Sequence, residues 1–94
     1  MPTYLRIRGY RIYFWARENG EPIHFHICKG DPSHDDTKVW VTRERKMIVA
    51  HNKGRIPKYD LARIMIVMVD NIEGYISFWK DTMEYVRFYG ETRL

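Results

Sequence analysis

The chain has 94 residues, of which 45% are hydrophobic and 30% are charged, and its formal net charge is +4 with histidine neutral. This composition is typical of a folded globular domain and not of a disordered segment. No apolar run reaches the roughly 18 residues of a membrane span, and a single cysteine excludes an intramolecular disulfide. We therefore expect one cytoplasmic domain, residues 1–94, without membrane association, whose positive charge favours polyanionic partners.

The first half of the chain predicts an antiparallel sheet, because apolar and polar residues alternate with period two. Residues 4–17 read as two strands joined at Gly9, which can take the positive φ of a tight hairpin. Asn19-Gly20 is a second turn signal before a strand at 23–28, and further strands are predicted at 38–42 and 47–50. The predicted sheet spans about residues 4–50 and is a meander of four to five strands.

The strand at 23–28 is predicted to place reactive side chains on one face of the sheet. Successive side chains of a strand point to opposite faces. One face receives the apolar side chains of Ile23, Phe25 and Ile27. The other face receives the polar or reactive side chains of His24, His26 and Cys28. Two histidines on one face can act as a general acid and a general base. A polar face with no chemical role is the alternative.

From Pro57 onward the apolar residues follow a helical period. Pro57 suits the first turn of a helix, and the charge of Asp60 suits the helix dipole there. Apolar residues then recur at steps of three and four: Leu61, Ile64, Met65, Met68, Ile72, Ile76, Trp79, Met83 and Val86. We predict one long C-terminal helix, at about 57–86, packed on one face of the sheet. The fold class is therefore α+β.

This helix would carry more apolar surface than one sheet face can cover. Its length would be about 45 Å, whereas a six-residue strand spans about 20 Å. Ile66, Val67 and Val69 lie off the core-facing stripe, and we predict that they form an oligomer interface with a second copy or a partner protein. Two alternatives stay open: a break between Asn71 and Gly74, and a helix folded back so that all these residues share one core.

The sheet face opposite the helix is predicted to be basic and aromatic. Arginine can hold phosphate while rings stack on bases, which suits RNA. Tyr, Trp and Arg are also typical of protein interfaces, or the arginines could simply cover exposed rings. The candidate residues for binding a nucleic acid or a partner are Arg6, Arg8, Arg11, Tyr13, Trp15, Arg17, Lys38 and Trp40.

His24 and His26 are the candidate catalytic residues of an enzymatic alternative. RNA supplies its own 2′-hydroxyl nucleophile, so a histidine pair could cleave it by acid–base catalysis. The sequence offers no third catalytic group at an identifiable spacing. A metal site formed by His24 and His26 with His34, Asp35, Asp36 or His51 is an open alternative. Cys28 could not share one ion with His24, because the two lie about 13 Å apart on a regular strand. We expect no metal and no cofactor.

Several blocks of the sequence are shared with one known family of small bacterial proteins. They are Met1-Pro2-Thr3, Ile7 with Gly9-Tyr10-Arg11 and Phe14, Glu18, Pro22 to Ile27 with Lys29-Gly30, Lys38 to Val41, Asn52-Lys53-Gly54, and Trp79. In these blocks the chain resembles the domain of unknown function 4160 family, although members often have Pro-Pro-His where this chain has Pro22-Ile23-His24. The resemblance implies a component of a small toxin–antitoxin-like operon, with a partner protein, and implies no catalytic residue.

Together these observations predict a component of a bacterial toxin–antitoxin-like module. It would bind RNA or a cognate operon partner through the basic aromatic sheet face. The alternatives are a ribonuclease-like enzyme that uses His24 and His26, and a structural homodimer without catalysis. The sequence does not decide whether the protein is an enzyme.

Overall fold

A computed structural model describes residues 2–16 and 20–91, and in them it shows an antiparallel sheet and two helices. Sequence neighbours are also neighbours in the five-stranded sheet, so it is a simple meander. The elements are β1 (Thr3–Ile7), β2 (Tyr10–Tyr13), β3 (His24–Lys29), β4 (Thr37–Val41), β5 (Met47–His51), α1 (Lys58–Asp70) and α2 (Ile72–Met83). The predicted α+β class and antiparallel meander are confirmed.

A two-residue turn joins β1 to β2, as the sequence predicts. Arg8 has φ +47° and Gly9 has φ +88°, and positive φ at both positions is the geometry of a tight hairpin whose twist matches that of its strands. β2 ends at Tyr13, earlier than the predicted strand to residue 17. Arg17, one of the candidate binding residues, lies outside the described residues.

The hydrophobic core lies between one face of the sheet and the two helices. Ile12, Phe14, Phe25 and Val39 are fully buried on the sheet side. On the helix side the buried residues recur at helical spacing: Ile64, Met68, Ile72, Tyr75 and Trp79. Leu5 and Ile7 of the edge strand are half-buried against this core. The inner face of the sheet is thus the apolar set that the alternation predicts.

The prediction of a single long helix is wrong, because the chain forms two helices that meet at Asn71. Asn71 has φ −111° and ψ 13°, and its side-chain amide donates to the carbonyl of Val67 at 2.8 Å. Such a bond to the preceding turn is typical of a helix end. The helices have 13 and 12 residues, so each is about 20 Å long and matches the strands.

The second helix also ends earlier than predicted. It stops at Met83, and Glu84 follows with φ +66°, which turns the chain back toward the sheet. Residues 85–91, which we call the closing segment, then run past the end of the sheet. Within it the carbonyl of Arg87 accepts from Ile23 N–H at 2.7 Å, and Tyr89 N–H donates to Val41 at 3.1 Å.

No helix in the described ranges 2–16 and 20–91 is long and apolar enough to cross a membrane.

The Tyr75 hydroxyl couples α2 to the sheet, because it donates a short hydrogen bond to the carbonyl of His24. Tyr75 is fully buried. We expect Tyr75→Phe to lower the free energy of unfolding by about 1–3 kcal/mol, the cost of removing a buried hydrogen-bond donor. Tyr59→Phe is the matched control, since that side chain is 71% exposed. Urea denaturation measures both, and equal stability of the two variants would contradict this coupling.

Candidate functional site

The histidine face of β3 is covered rather than open. His24 and His26 share one face, as the alternation predicts, and their ring centroids are 5.1 Å apart. However, His24 is 0% exposed and His26 is 8% exposed. The expectation of an outward histidine face is therefore wrong, because segments that are distant in sequence pack over it.

The His24 ring is held in a packed environment. Its Nδ1 lies 2.9 Å from the carbonyl oxygen of Pro22, and because a carbonyl can only accept, Nδ1 must carry the hydrogen. The ring also makes edge contacts with Trp40 at 5.5 Å and with Trp79 at 5.1 Å. These contacts are those of a core residue. A general acid or base must reach the proton it transfers, so the burial of His24 counts against a catalytic pair.

A buried carboxylate, Asp36, lies beside Tyr13 and Cys28. From the sequence it is predicted only as a candidate loop ligand of a metal, and its burial is missed. The Asp36 carboxylate accepts from the backbone N–H of Ser33 at 2.9 Å and from its hydroxyl at 3.4 Å. It also accepts a short hydrogen bond from the buried Tyr13 hydroxyl. The available signal was the spacing Ser33-x-x-Asp36, in which two residues can cap each other across a turn.

Two titratable groups near this network have shifted pKa values. Burial and the charge of Asp36 raise the pKa of the Cys28 thiol. Burial, followed by the positive charges of Lys53 and neighbouring groups, lowers the pKa of His51. Neither the protonated thiol nor the neutral imidazole adds charge to this face at neutral pH.

Much of the predicted aromatic face is already occupied by contacts within the chain. Trp40 stacks on Tyr89 of the closing segment, with ring centroids 4.8 Å apart. The ammonium group of Lys38 lies 4.2 Å from the Trp40 ring centroid and 2.7 Å from a carboxylate oxygen of Glu21. Lys38 is therefore largely neutralised.

Trp15 has a similar arrangement, because its ring stacks on His34 at 5.8 Å and contacts Tyr13 edge-on at 5.5 Å. Tyr13 is fully buried. Rings with protein on both sides offer less surface to a base than free rings do. Of the aromatic candidates, Trp15 and Trp40 keep partial exposure.

Four cations gather where the β1–β2 hairpin ends, and we call Arg6, Arg8, Arg11 and Lys29 the hairpin-end cluster. Arg6 and Arg11 are opposite each other in the strand register, and Cys28 is the next residue across. Arg6, Arg8 and Lys29 are exposed. Among the described residues, no carboxylate forms an ion pair with these four cations. Positive charge without a direct ion pair among the described residues is thus concentrated at this end.

Arg8 does not lie on the histidine face, which differs from the expectation. Its position in the turn directs it to a cleft of about 260 Å³ between the hairpin and α1, where Tyr59 and Arg63 also line the wall. Tyr10 donates to the Asp60 carboxylate at 2.7 Å in this cleft. Burial and that carboxylate raise the pKa of Tyr10 to about 12, so its hydroxyl stays protonated at neutral pH.

The three residues predicted as an oligomer interface lie on α1. Ile66 is 65% exposed and Val69 is 51% exposed, whereas Val67 is half-buried. A single exposed aliphatic side chain on a helix is common. Here Ile66 and Val69 are both exposed and lie about one turn apart on the same face of α1.

Within ranges 2–16 and 20–91, no group of three or more His, Cys, Asp or Glu side chains could hold a metal ion.

The fold and the site define a small α+β domain with a covered histidine strand and a basic hairpin end. The family described as domain of unknown function (DUF4160) matches residues 9–80. The chain therefore belongs to this family, and the resemblance in sequence is confirmed. No curated protein and no solved structure matches the chain.

The position of Asp36 beside Cys28 predicts a titration that can be measured. We expect the alkylation rate of Cys28 to have its midpoint above the pH of an ordinary thiol, since a raised pKa lowers the thiolate fraction. Asp36→Asn should shift the midpoint downward, because it removes a negative charge that disfavours the thiolate. The midpoint should stay elevated, because burial remains. Asp35→Asn, an exposed neighbour, is the control, and an equal shift in both variants would refute the assignment.

Proposed function

We propose that this protein is a small cytoplasmic binding component of a toxin–antitoxin-like module, and that it binds RNA through the hairpin-end cluster. The observation that carries the proposal is the direct cross-strand pairing of Arg6 with Arg11. Like charges opposite each other in a sheet are destabilising by roughly 0.2–1 kcal/mol. A phosphate between them would remove this repulsion and form charge-assisted hydrogen bonds to both guanidinium groups.

The neighbouring groups of the cluster suit a single strand of RNA. Arg8 and Lys29 extend the positive charge around the hairpin end, where Tyr59 is 71% exposed and available for stacking. The Asp60 carboxylate in the cleft could accept a hydrogen bond from a 2′-hydroxyl or a base amino group. Lys38 and Trp40 contribute less to this proposal, because each already has partners within the chain.

Binding to a cognate operon partner is the second candidate. An acidic partner segment could bind the same cations, and the family resemblance favours a partner protein. The ribonuclease-like alternative is weaker, because His24 has no exposed surface and a catalytic pair must contact the scissile group. A structural homodimer would leave the cross-strand arginine pair without a role.

We expect the affinity for single-stranded RNA to fall with salt, with a slope near −0.7 on a double-logarithmic plot for each phosphate contact. Replacing Arg6 and Arg11 together by Gln should reduce this slope by about 1.4 if each contacts one phosphate. Fluorescence anisotropy with a labelled oligonucleotide, at several salt concentrations, measures the slope.

The matched control replaces Arg43 and Arg45 together by Gln. It removes the same charge, but these residues already pair with Glu91 and Glu73 at 2.6 Å. A slope that changes equally in both double variants would mean that only net charge matters. No RNA binding at low salt, together with binding of the separately purified operon partner that depends on Arg6 and Arg11, would favour the second candidate.

A further inference from the structure

Helix α1 exposes an apolar face that no other part of the described chain covers. Tyr59, Ile66 and Val69 are 71%, 65% and 51% exposed, and the small Ala62 between them is exposed as well. Since residues at steps of three and four share one face of a helix, these side chains form one continuous patch. The opposite side of α1 packs on the core through Ile64 and Met68.

Two opposite charges lie on the same edge of this patch, one on each side of Ile66. Arg63 and Asp70 are both exposed, and neither forms an ion pair with another described residue. They are seven positions apart, so they lie within about 20° of each other around the helix and about 10 Å apart along it. The Arg63 guanidinium carbon lies 5.6 Å from the Tyr59 ring centroid, so the cation points along the patch.

We propose that a second copy of this chain covers the patch, with the two α1 helices antiparallel around a two-fold axis at Ile66 and Val67. Such an axis reverses the direction of the helix. It also places the Arg63–Asp70 edge of one copy against the same edge of the other copy. Arg63 of one copy then lies opposite Asp70 of the other, and the same pair forms again on the other side of the axis. The face is thus complementary to itself in charge.

The shape of the surface also suits this pairing. Ala62 permits close approach of the helices beside Ile66. A shallow groove of about 440 Å³, lined by Ile7, Tyr59, Ile66 and Val67 among others, lies next to α1 and can take an apolar side chain of the partner helix. One helix pair covers less than the roughly 800 Å² per partner of a standard interface, so the dimer should be weak and concentration-dependent.

Charge reversal tests the arrangement. We expect wild-type protein to pass from monomer to dimer as its concentration rises in sedimentation equilibrium. Arg63→Asp alone should raise the dissociation constant on the order of tenfold or more, because two like charges then face each other. Asp70→Arg alone should do the same. The double variant, with both reversals, should return to a dissociation constant near that of the wild type, since the pairs re-form in the opposite sense.

Lys80→Asp and Asp81→Arg are the matched controls, because they make the same charge changes at exposed positions of α2. They should leave the dissociation constant unchanged, and circular dichroism should show the same folded content in all variants. Three results would overturn the proposal: a wild type that stays monomeric at millimolar concentration, single variants that dimerise like the wild type, or a double variant as weak as the single ones. The protein could instead form a complex with the operon partner. If Arg63→Asp weakens that complex and the double variant does not restore it, the patch binds that partner and not a second copy.

Discussion

The burial of β3 on both faces is the constraint on which the rest of this structure depends. A central strand of an antiparallel sheet often has one wet face, but here five of the six residues of β3 are buried. The inner face is covered by α1 and α2, and the other by the Ser33–Asp36 turn and the closing segment. Each cover is attached by polar contacts: Tyr75 to the His24 carbonyl, Tyr13 to Asp36, and Ile23 to Arg87. Buried polar groups need such partners, so the backbone groups of Ile23 and His24 and the Asp36 carboxylate help to determine which segments can lie over the strand.

The local patterns in the sequence predicted the strands well, because period-two alternation and the turn at Gly9 are short-range signals. The apolar residues Ile23, Phe25 and Ile27 also face the helices, as the alternation predicts. The burial of His24 could not be predicted this way, because the rings that contact it, Trp40 and Trp79, lie far along the chain. Alternation assigns a side chain to a face, and it does not say whether that face meets solvent.

The helix prediction failed for a related reason. The apolar spacing of three and four continues through Asn71 and beyond Met83, since residues on both helices and in the closing segment face the same core. A periodic pattern therefore cannot distinguish one helix from two short helices packed on the same sheet. At the break the Asn71 side chain bonds to the Val67 carbonyl, and each of the two helices matches the short span of the sheet. The excess apolar surface that the pattern indicated on α1 is nevertheless exposed in the structure. The hairpin-end cluster and this α1 patch meet at Tyr59, which lines the cleft beside Arg8 and Lys29 and also belongs to the patch, so binding of a nucleic acid there would compete with the second copy for this side chain.

The closing segment has a consequence for the order in which the protein can fold during synthesis. Its contacts reach Ile23 at the start of β3 and Val41 at the end of β4, which are made on the ribosome long before residues 85–91. A nascent chain can form the β1–β2 hairpin early, because its contacts are local. Until the last of these residues has been added, the start of β3 lacks its bond to Arg87 and the Trp40 ring lacks its contact with Tyr89, so this end of the sheet stays exposed to solvent. A chain that terminates before the closing segment therefore lacks the contact that covers Trp40. It exposes to chaperones and proteases an aromatic side chain that is partly covered in the complete protein.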